Sequence, residues 1–127
     1  MACRISELVL DAANPRQLAA FWCEVLGWAV LDEPSDEEVE IGPPDVGFGG
    51  PQPTIVFSRS DEGKRQKLRL HIDVSPTDRE QSDELERLLA IGARPADVGQ
   101  SGDESWRVLA DPEGNEFCLL ARRLDPV

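Results

Sequence analysis

The side chains best suited to chemistry lie around His71, which is the only histidine in the 127 residues. Histidine is the commonest general base and metal ligand near neutral pH, so catalysis of the Ser-His-Asp or Cys-His type would have to use this residue. A two-histidine, one-carboxylate iron site needs more histidines than one chain contains. His71 is therefore the first candidate site residue.

Ionisable residues alternate with apolar ones on both sides of His71. In a strand, this alternation places Arg69, His71 and Asp73 on one face, while the apolar face packs on helices. In the first predicted strand, Glu7 lies on the corresponding polar face. A sheet curved around that face would form a cleft lined by Glu7, Arg69, His71 and Asp73. The alternative is that the polar face simply meets water, as one face of an antiparallel sheet often does.

The first half of the chain predicts a strand, a helix and three further strands. Ile5–Ala12 alternates as a strand does. Asn14 is a suitable N-cap, Pro15 suits the first helical position, and Gly27 ends the helix. The strands predicted after the helix are Trp28–Asp32, Val39–Ile41 and Thr54–Ser58.

The second half repeats this order. Leu68–Val74 is predicted to be a strand, and Thr77–Glu80 reads as a capping box that opens a helix ending at Gly92. The strands predicted after this helix are Pro95–Val98, Ser105–Ala110 and Glu116–Ala121. The chain therefore predicts a tandem duplication in an α+β fold, with a first module over residues 1–60, a polar linker over 61–67 and a second module over 68–127.

Composition narrows the class of protein. Thirteen Lys and Arg against 25 Asp and Glu give a net charge of −12, which argues against nucleic acid and anionic membranes as partners. No apolar run is long enough to span a bilayer, and Glu7 and Asp11 interrupt the first apolar stretch, so no signal peptide is predicted. The cysteines at 3, 23 and 118 are odd in number and far apart, which predicts neither a disulfide framework nor a zinc ligand set. These features favour a soluble protein of a reducing compartment, the cytoplasm.

Four segments together resemble a known superfamily. They are the helix that opens at Asn14-Pro15 and contains Phe21-Trp22, its end at Leu26-Gly27, the alternating residues Lys67 to Asp73, and the turn and strand Asp111 to Cys118. In this order they resemble the vicinal oxygen chelate superfamily, which includes glyoxalase I, bleomycin-resistance proteins and extradiol dioxygenases, and most of all its glyoxalase-like branch. The resemblance implies two βαβββ modules whose curved mixed sheets enclose a central cavity.

The resemblance also implies where a metal would be bound. Members that use a metal place four ligands in the cavity, usually His, Glu or Gln. The corresponding positions here are Glu7, a residue near Val56, Arg69 (or His71 if the strand shifts by two) and Cys118. Valine and arginine do not bind divalent cations, which need several oxygen or nitrogen donors at one point. We therefore expect no nickel, zinc or iron site of the superfamily type and no cofactor.

Each candidate residue has a functional and a structural interpretation. Glu7 is the candidate base, because a carboxylate in a largely apolar cavity is a good proton acceptor; alternatively it forms an ion pair with Arg69. His71 is the candidate acid–base or ligand-binding group, oriented by Asp73; alternatively both are structural hydrogen-bonding residues. Arg69 suits a carboxylate, phosphate or other anionic group.

Three more residues are candidate ligand contacts. Trp28 and Trp106 would wall the cavity and stack on flat aromatic ligands, with packing in the core as the alternative. Cys118 is either part of the site or a buried small apolar residue.

Three functions agree with these expectations. The first is a metal-independent glyoxalase-like protein that binds a small, anionic or aromatic metabolite. The second is a lyase or isomerase that uses Glu7 and His71 as base and acid. The third is a resistance-type protein that sequesters a toxic compound without catalysis. Because two-fold dimers are common both generally and in this superfamily, we expect a homodimer.

Overall fold

A computed structural model describes residues 2–127, so that only Met1, the first residue of the predicted first module, lies outside the described part. The chain divides into two units, and the boundary between them in the sequence falls between Gly63 and Lys64, within the polar segment 61–67. None of the helices in the described residues is both long enough and apolar enough to cross a bilayer.

The first unit is a four-stranded sheet with one helix. Its elements are β1 (Glu7–Ala12), α1 (Pro15–Leu26), β2 (Ala29–Leu31), β3 (Glu38–Gly42) and β4 (Thr54–Arg59). The strand order is β1-β4-β3-β2, in which β1 and β4 are parallel and the other pairs antiparallel. Helix side chains such as Leu18 and Trp22 and sheet side chains such as Ile41 and Phe57 are almost wholly buried and form the core.

Local signals determine both ends of α1, as predicted. The Asn14 side chain accepts a hydrogen bond from the Gln17 N–H at 3.2 Å, and Pro15 occupies the first turn, where its missing N–H costs nothing. At the other end, Gly27 adopts a left-handed conformation with φ of 68°, and its N–H donates to the Cys23 carbonyl. These caps satisfy groups that the helix itself leaves without partners.

Gly27 provides a test of this helix end. The space around its Cβ position is open, so a Gly27→Ala variant suffers only the left-handed backbone conformation. We expect the free energy of unfolding to fall by about 1 kcal/mol, as for other non-glycine residues in this region. Chemical denaturation would measure it. Gly63→Ala, which also has open space but no positive φ, is the matched control, and an equal loss in both variants would contradict the explanation.

The second unit repeats the architecture. Its elements are β5 (Ile72–Val74), α2 (Gln81–Ala90), β6 (Arg94–Pro95), β7 (Arg107–Ala110) and β8 (Glu116–Leu119). The strand order is β5-β8-β7-β6, which matches that of the first unit position by position. The predicted α+β fold of two βαβββ modules is therefore confirmed.

Three predictions for the second unit are wrong in detail. The strand predicted over Pro95–Val98 occupies Arg94–Pro95 instead, where Arg94 pairs with Ala110. The strand predicted from Leu68 begins only at Ile72, because the Leu68 N–H donates to the Glu116 side chain at 2.8 Å instead of to a strand, and Leu70 is 72 % exposed. The capping box also does not form. Helix α2 begins at Gln81, and the Glu80 carboxylate, which would close the box, instead accepts from Arg123 at 3.1 Å.

Candidate functional site

Three reactive side chains meet on one face of the second sheet. Strands β5 and β8 run parallel, and Asp73 lies directly opposite Cys118. His71, two residues before Asp73, extends from the same side, and its Nε2 lies 3.1 Å from Asp73 Oδ1. One nitrogen, one carboxylate oxygen and the sulfur all lie within 4.8 Å of one another. We call His71, Asp73 and Cys118 the sheet-face cluster.

The three side chains of the cluster differ in their exposure to solvent. The His71 and Asp73 side chains are 41 % and 48 % exposed, while Cys118 is half-buried. Burial raises the pKa of the Cys118 thiol, and the negative charge and hydrogen bond of Asp73 raise it further, whereas the charge of Lys67 acts in the opposite direction. The thiol therefore stays protonated at neutral pH and donates to the Asp73 carboxylate. Asp73 thus contacts both other members and can orient the imidazole.

A buried carboxylate lies on the same face of β8, two residues before Cys118. Glu116 is 9 % exposed; its Oε2 lies 2.6 Å from Lys64 Nζ, and its Oε1 accepts from the Leu68 N–H at 2.8 Å. Burial alone would raise the pKa of Glu116, but the hydrogen bonds from Lys64 and Leu68 and the Lys64 charge outweigh burial and lower the pKa. This residue was missed by the sequence analysis, although alternation along Glu116–Ala121 places it on the face of Cys118.

Two of the predicted site residues belong to the first unit. Glu7 is the first residue of β1, is exposed and lies opposite Thr54. The Thr54 hydroxyl donates to a Glu40 carboxylate oxygen at 2.7 Å, so a second, unpredicted carboxylate lies on this polar face. Trp28 is half-buried just before β2.

The other predicted residues lie in the second unit. Arg69 is exposed in the segment before β5 and makes no hydrogen bond or ion pair within residues 2–127. Trp106, which is 43 % exposed, lines a groove of about 270 Å³ together with Leu85 and Leu89 of α2 and the loop before β7. None of the three cluster residues is among those that line this groove. The structure therefore brings Asp73, His71 and Cys118 together and places Trp106 in a separate groove of the same unit.

The two sheets share an internal equivalence. Asp11 lies opposite Ser58 in the first sheet, as Asp73 lies opposite Cys118 in the second. By the same count Val9 corresponds to His71, which lies just before β5. The position equivalent to Cys118 is therefore Ser58, two residues beyond Val56, near which the resemblance places the ligand position of the first module.

The side chains that could bind a metal ion in this protein differ from those that the resemblance implies. The sheet-face cluster is the one group of three or more possible protein ligands found within residues 2–127. It offers an imidazole, a carboxylate and a thiol, whereas the implied set consists of His, Glu and Gln from four positions. Thiolate is a soft ligand, and manganese and magnesium prefer oxygen donors, so the cluster does not fit a hard-cation site.

Comparison with protein families gives one clear match. The model of the glyoxalase-like domain matches residues 7–120. No curated protein matches the sequence significantly.

Solved structures with the same fold are numerous but distant in sequence. A glyoxalase/bleomycin resistance protein/dioxygenase family enzyme from Burkholderia phytofirmans is 14 % identical with a TM-score of 0.67, and the match covers 92 % of this chain and 97 % of that one. A possible glyoxalase from Bacillus cereus is 16 % identical with a TM-score of 0.67, covering 94 % and 100 %. The fosfomycin resistance protein FosX from Listeria monocytogenes, solved with Mn(II) and 1S,2S-dihydroxypropylphosphonic acid, is 17 % identical with a TM-score of 0.68, covering 95 % and 91 %. At these identities the likeness establishes the fold alone.

Proposed function

The chain belongs to the glyoxalase-like domain family, and on that premise we propose that it binds a small, anionic or aromatic metabolite at the polar face of its second sheet, without the four-ligand metal site of the superfamily. The observation that carries the proposal is the sheet-face cluster: an imidazole, a carboxylate and a thiol that converge on one half-exposed surface. A thiol, a carboxylate and an imidazole in mutual reach are candidate functional groups.

The charge distribution favours an anionic ligand. The chain carries a net charge of −12, yet residues 64–69 contain four cationic side chains, at positions 64, 65, 67 and 69. The charge of Lys67 is felt at Cys118, and Arg69 has no partner within the described residues. An unpaired guanidinium forms two parallel hydrogen bonds with a carboxylate or phosphonate. The phosphonic acid bound to the Listeria relative belongs to the same chemical class.

The two remaining functions are distinguished by turnover. A lyase or isomerase would use Glu7 and His71 as base and acid and would consume its ligand. A resistance-type protein would hold the ligand unchanged, and several relatives of this fold are fosfomycin resistance proteins. We also propose that the protein forms a homodimer and is located in the cytoplasm. Because one fold supports many chemistries, the identity of the ligand has to come from binding experiments.

Arg69 provides the direct test. Small anions, among them methylphosphonate, phenylphosphonate, benzoate and phosphate, would be titrated into the protein by calorimetry. For the anion that binds best, we expect Arg69→Ala to weaken affinity at least about tenfold, since a charge-assisted hydrogen bond contributes about 1.5–3 kcal/mol. Arg94→Ala removes an exposed arginine of β6 and is the matched control. Unchanged affinity in Arg69→Ala, or no binding of any anion in the panel, would contradict the proposal.

A further inference from the structure

We propose that His71, Asp73 and Cys118 bind a zinc ion within the second unit. The first observation is the convergence itself, since one donor atom from each residue lies within 4.8 Å of the others. Donors this close need only small side-chain rotations to reach a common ion at bond lengths of about 2.0–2.3 Å.

The sheet holds the three donors in place. Asp73 and Cys118 are direct neighbours across the β5–β8 pair, and His71 precedes Asp73 by two residues on the same face. Neighbouring strands lie about 4.7–4.9 Å apart, so that paired side chains on one face are close enough to be ligands of one ion. The partial exposure of His71 and Asp73 leaves their side chains free to turn towards the ion.

The chemistry of the donors selects the metal. Thiolate and imidazole suit zinc, whereas magnesium and manganese prefer carboxylate and water. On binding, the Cys118 sulfur exchanges its proton for the metal, and the proton passes to solvent. The Cys118 thiolate and the Asp73 carboxylate then carry one negative charge each, which together balance the charge of Zn²⁺, and neutral His71 is the third ligand.

The proposed site differs from the one that the resemblance implies. It shares Cys118, and His71 if the strand shifts by two, with the positions that the resemblance implies, but it needs no residue of the first unit and it uses Asp73, which is not one of those positions. Three protein ligands leave a fourth coordination position open. An anion at that position would connect the metal to the proposed function, and only this last step rests on that proposal.

Zinc binding to the full chain is the test, with the metal alone as the probe. Tag-free protein, stripped with chelator, would be titrated with Zn²⁺ in competition with a coloured chelator, and Co²⁺ substitution would report sulfur–metal charge transfer in the absorption spectrum. We expect one equivalent of Zn²⁺ and tighter binding of Zn²⁺ than of Mn²⁺. Cys118→Ser and Asp73→Asn should each weaken Zn²⁺ at least tenfold, because even the loss of an outer-shell partner costs about 10–100-fold.

Cys3→Ser is the matched control, because Cys3 is exposed and lies outside the cluster. Thermal unfolding of each variant shows whether it is folded, and Asp73→Asn preserves the shape of the side chain. No binding, binding lost with Cys3 instead of Cys118, or equal affinity for Mn²⁺ would overturn the site. Titration of anions into the metal-free protein separates the two proposals. Anion binding that depends on Arg69, without any zinc binding, rejects the zinc site alone. Zinc binding without anion binding rejects the proposed function alone.

Discussion

Replacing Asp111 with alanine is expected to lower the free energy of unfolding by about 3 kcal/mol, because a buried carboxylate that accepts several hydrogen bonds would be lost. Asp111 is fully buried. Its Oδ1 accepts from the N–H groups of Glu113 and Asn115 at 2.9 and 3.0 Å, and both carboxylate oxygens accept from the Asn115 side chain. In the variant, these donors would lose their acceptor, and those of Asn115 are buried.

Loss of the Asp111 side chain would also affect the candidate site. The turn made by residues 111–115 joins β7 to β8 and determines which β8 residue lies opposite which β7 residue. Urea denaturation would measure the change, with Asp125→Ala, at the exposed end of the chain, as the control. A loss below about 1 kcal/mol would mean that the turn forms without its side-chain acceptor.

Replacing Glu116 with glutamine is expected to destabilise the protein by about 2 kcal/mol at neutral pH, because Lys64 would lose its partner in a poorly solvated position. The side chains of Lys64 and Glu116 are only 25 % and 10 % exposed. Their ion pair, together with the Leu68 N–H, ties the segment before β5 to β8. Lys64→Ala should have a smaller effect in the Glu116→Gln background than in the wild type, since the two residues share one interaction.

The contribution of Glu116 should depend on pH in a defined direction. The pKa of Glu116 is lower in the folded protein than the ordinary 4.5. The carboxylate therefore stabilises the fold fully above pH 4.5, and this stabilisation is lost as the pH falls from 4.5 through the lower pKa of the folded protein. The difference in stability between wild type and Glu116→Gln should therefore shrink below pH 4.5. Glu86→Gln, an exposed change on α2, is the control. A difference that stays constant down to pH 3 would contradict the role of the charge.

Local interactions explain which parts of the fold were predictable. The ends of α1 depend on Asn14, Pro15 and Gly27, all of which act on atoms within a few residues, so the sequence reveals them. The capping box did not form, and the Glu80 carboxylate that would have closed it binds Arg123, more than forty residues away. Competition from a distant partner leaves no trace in a local motif.

The candidate site divides in the same way. Strand alternation was sufficient to place His71 and Asp73 on one face. That Cys118 completes the group depends on the pairing of β5 with β8 across more than forty residues of chain, and only the resemblance to the superfamily had marked the position. Glu116 was overlooked because its role depends on a lysine and a backbone N–H that meet it only in the folded unit.

The equal strand order of the two units has a consequence for how such a protein evolves. At equivalent positions both sheets bury a phenylalanine, Phe57 in one and Phe117 in the other. On the polar side the copies differ: valine and serine in one correspond to histidine and cysteine in the other. A duplicated segment of this kind separates two demands, since one set of positions maintains folding while the other is free to acquire reactivity in a single copy. The first unit thus shows the same sheet without the reactive side chains. Asp11 occupies the position of Asp73, but its neighbours are Val9 and Ser58 in place of a histidine and a cysteine.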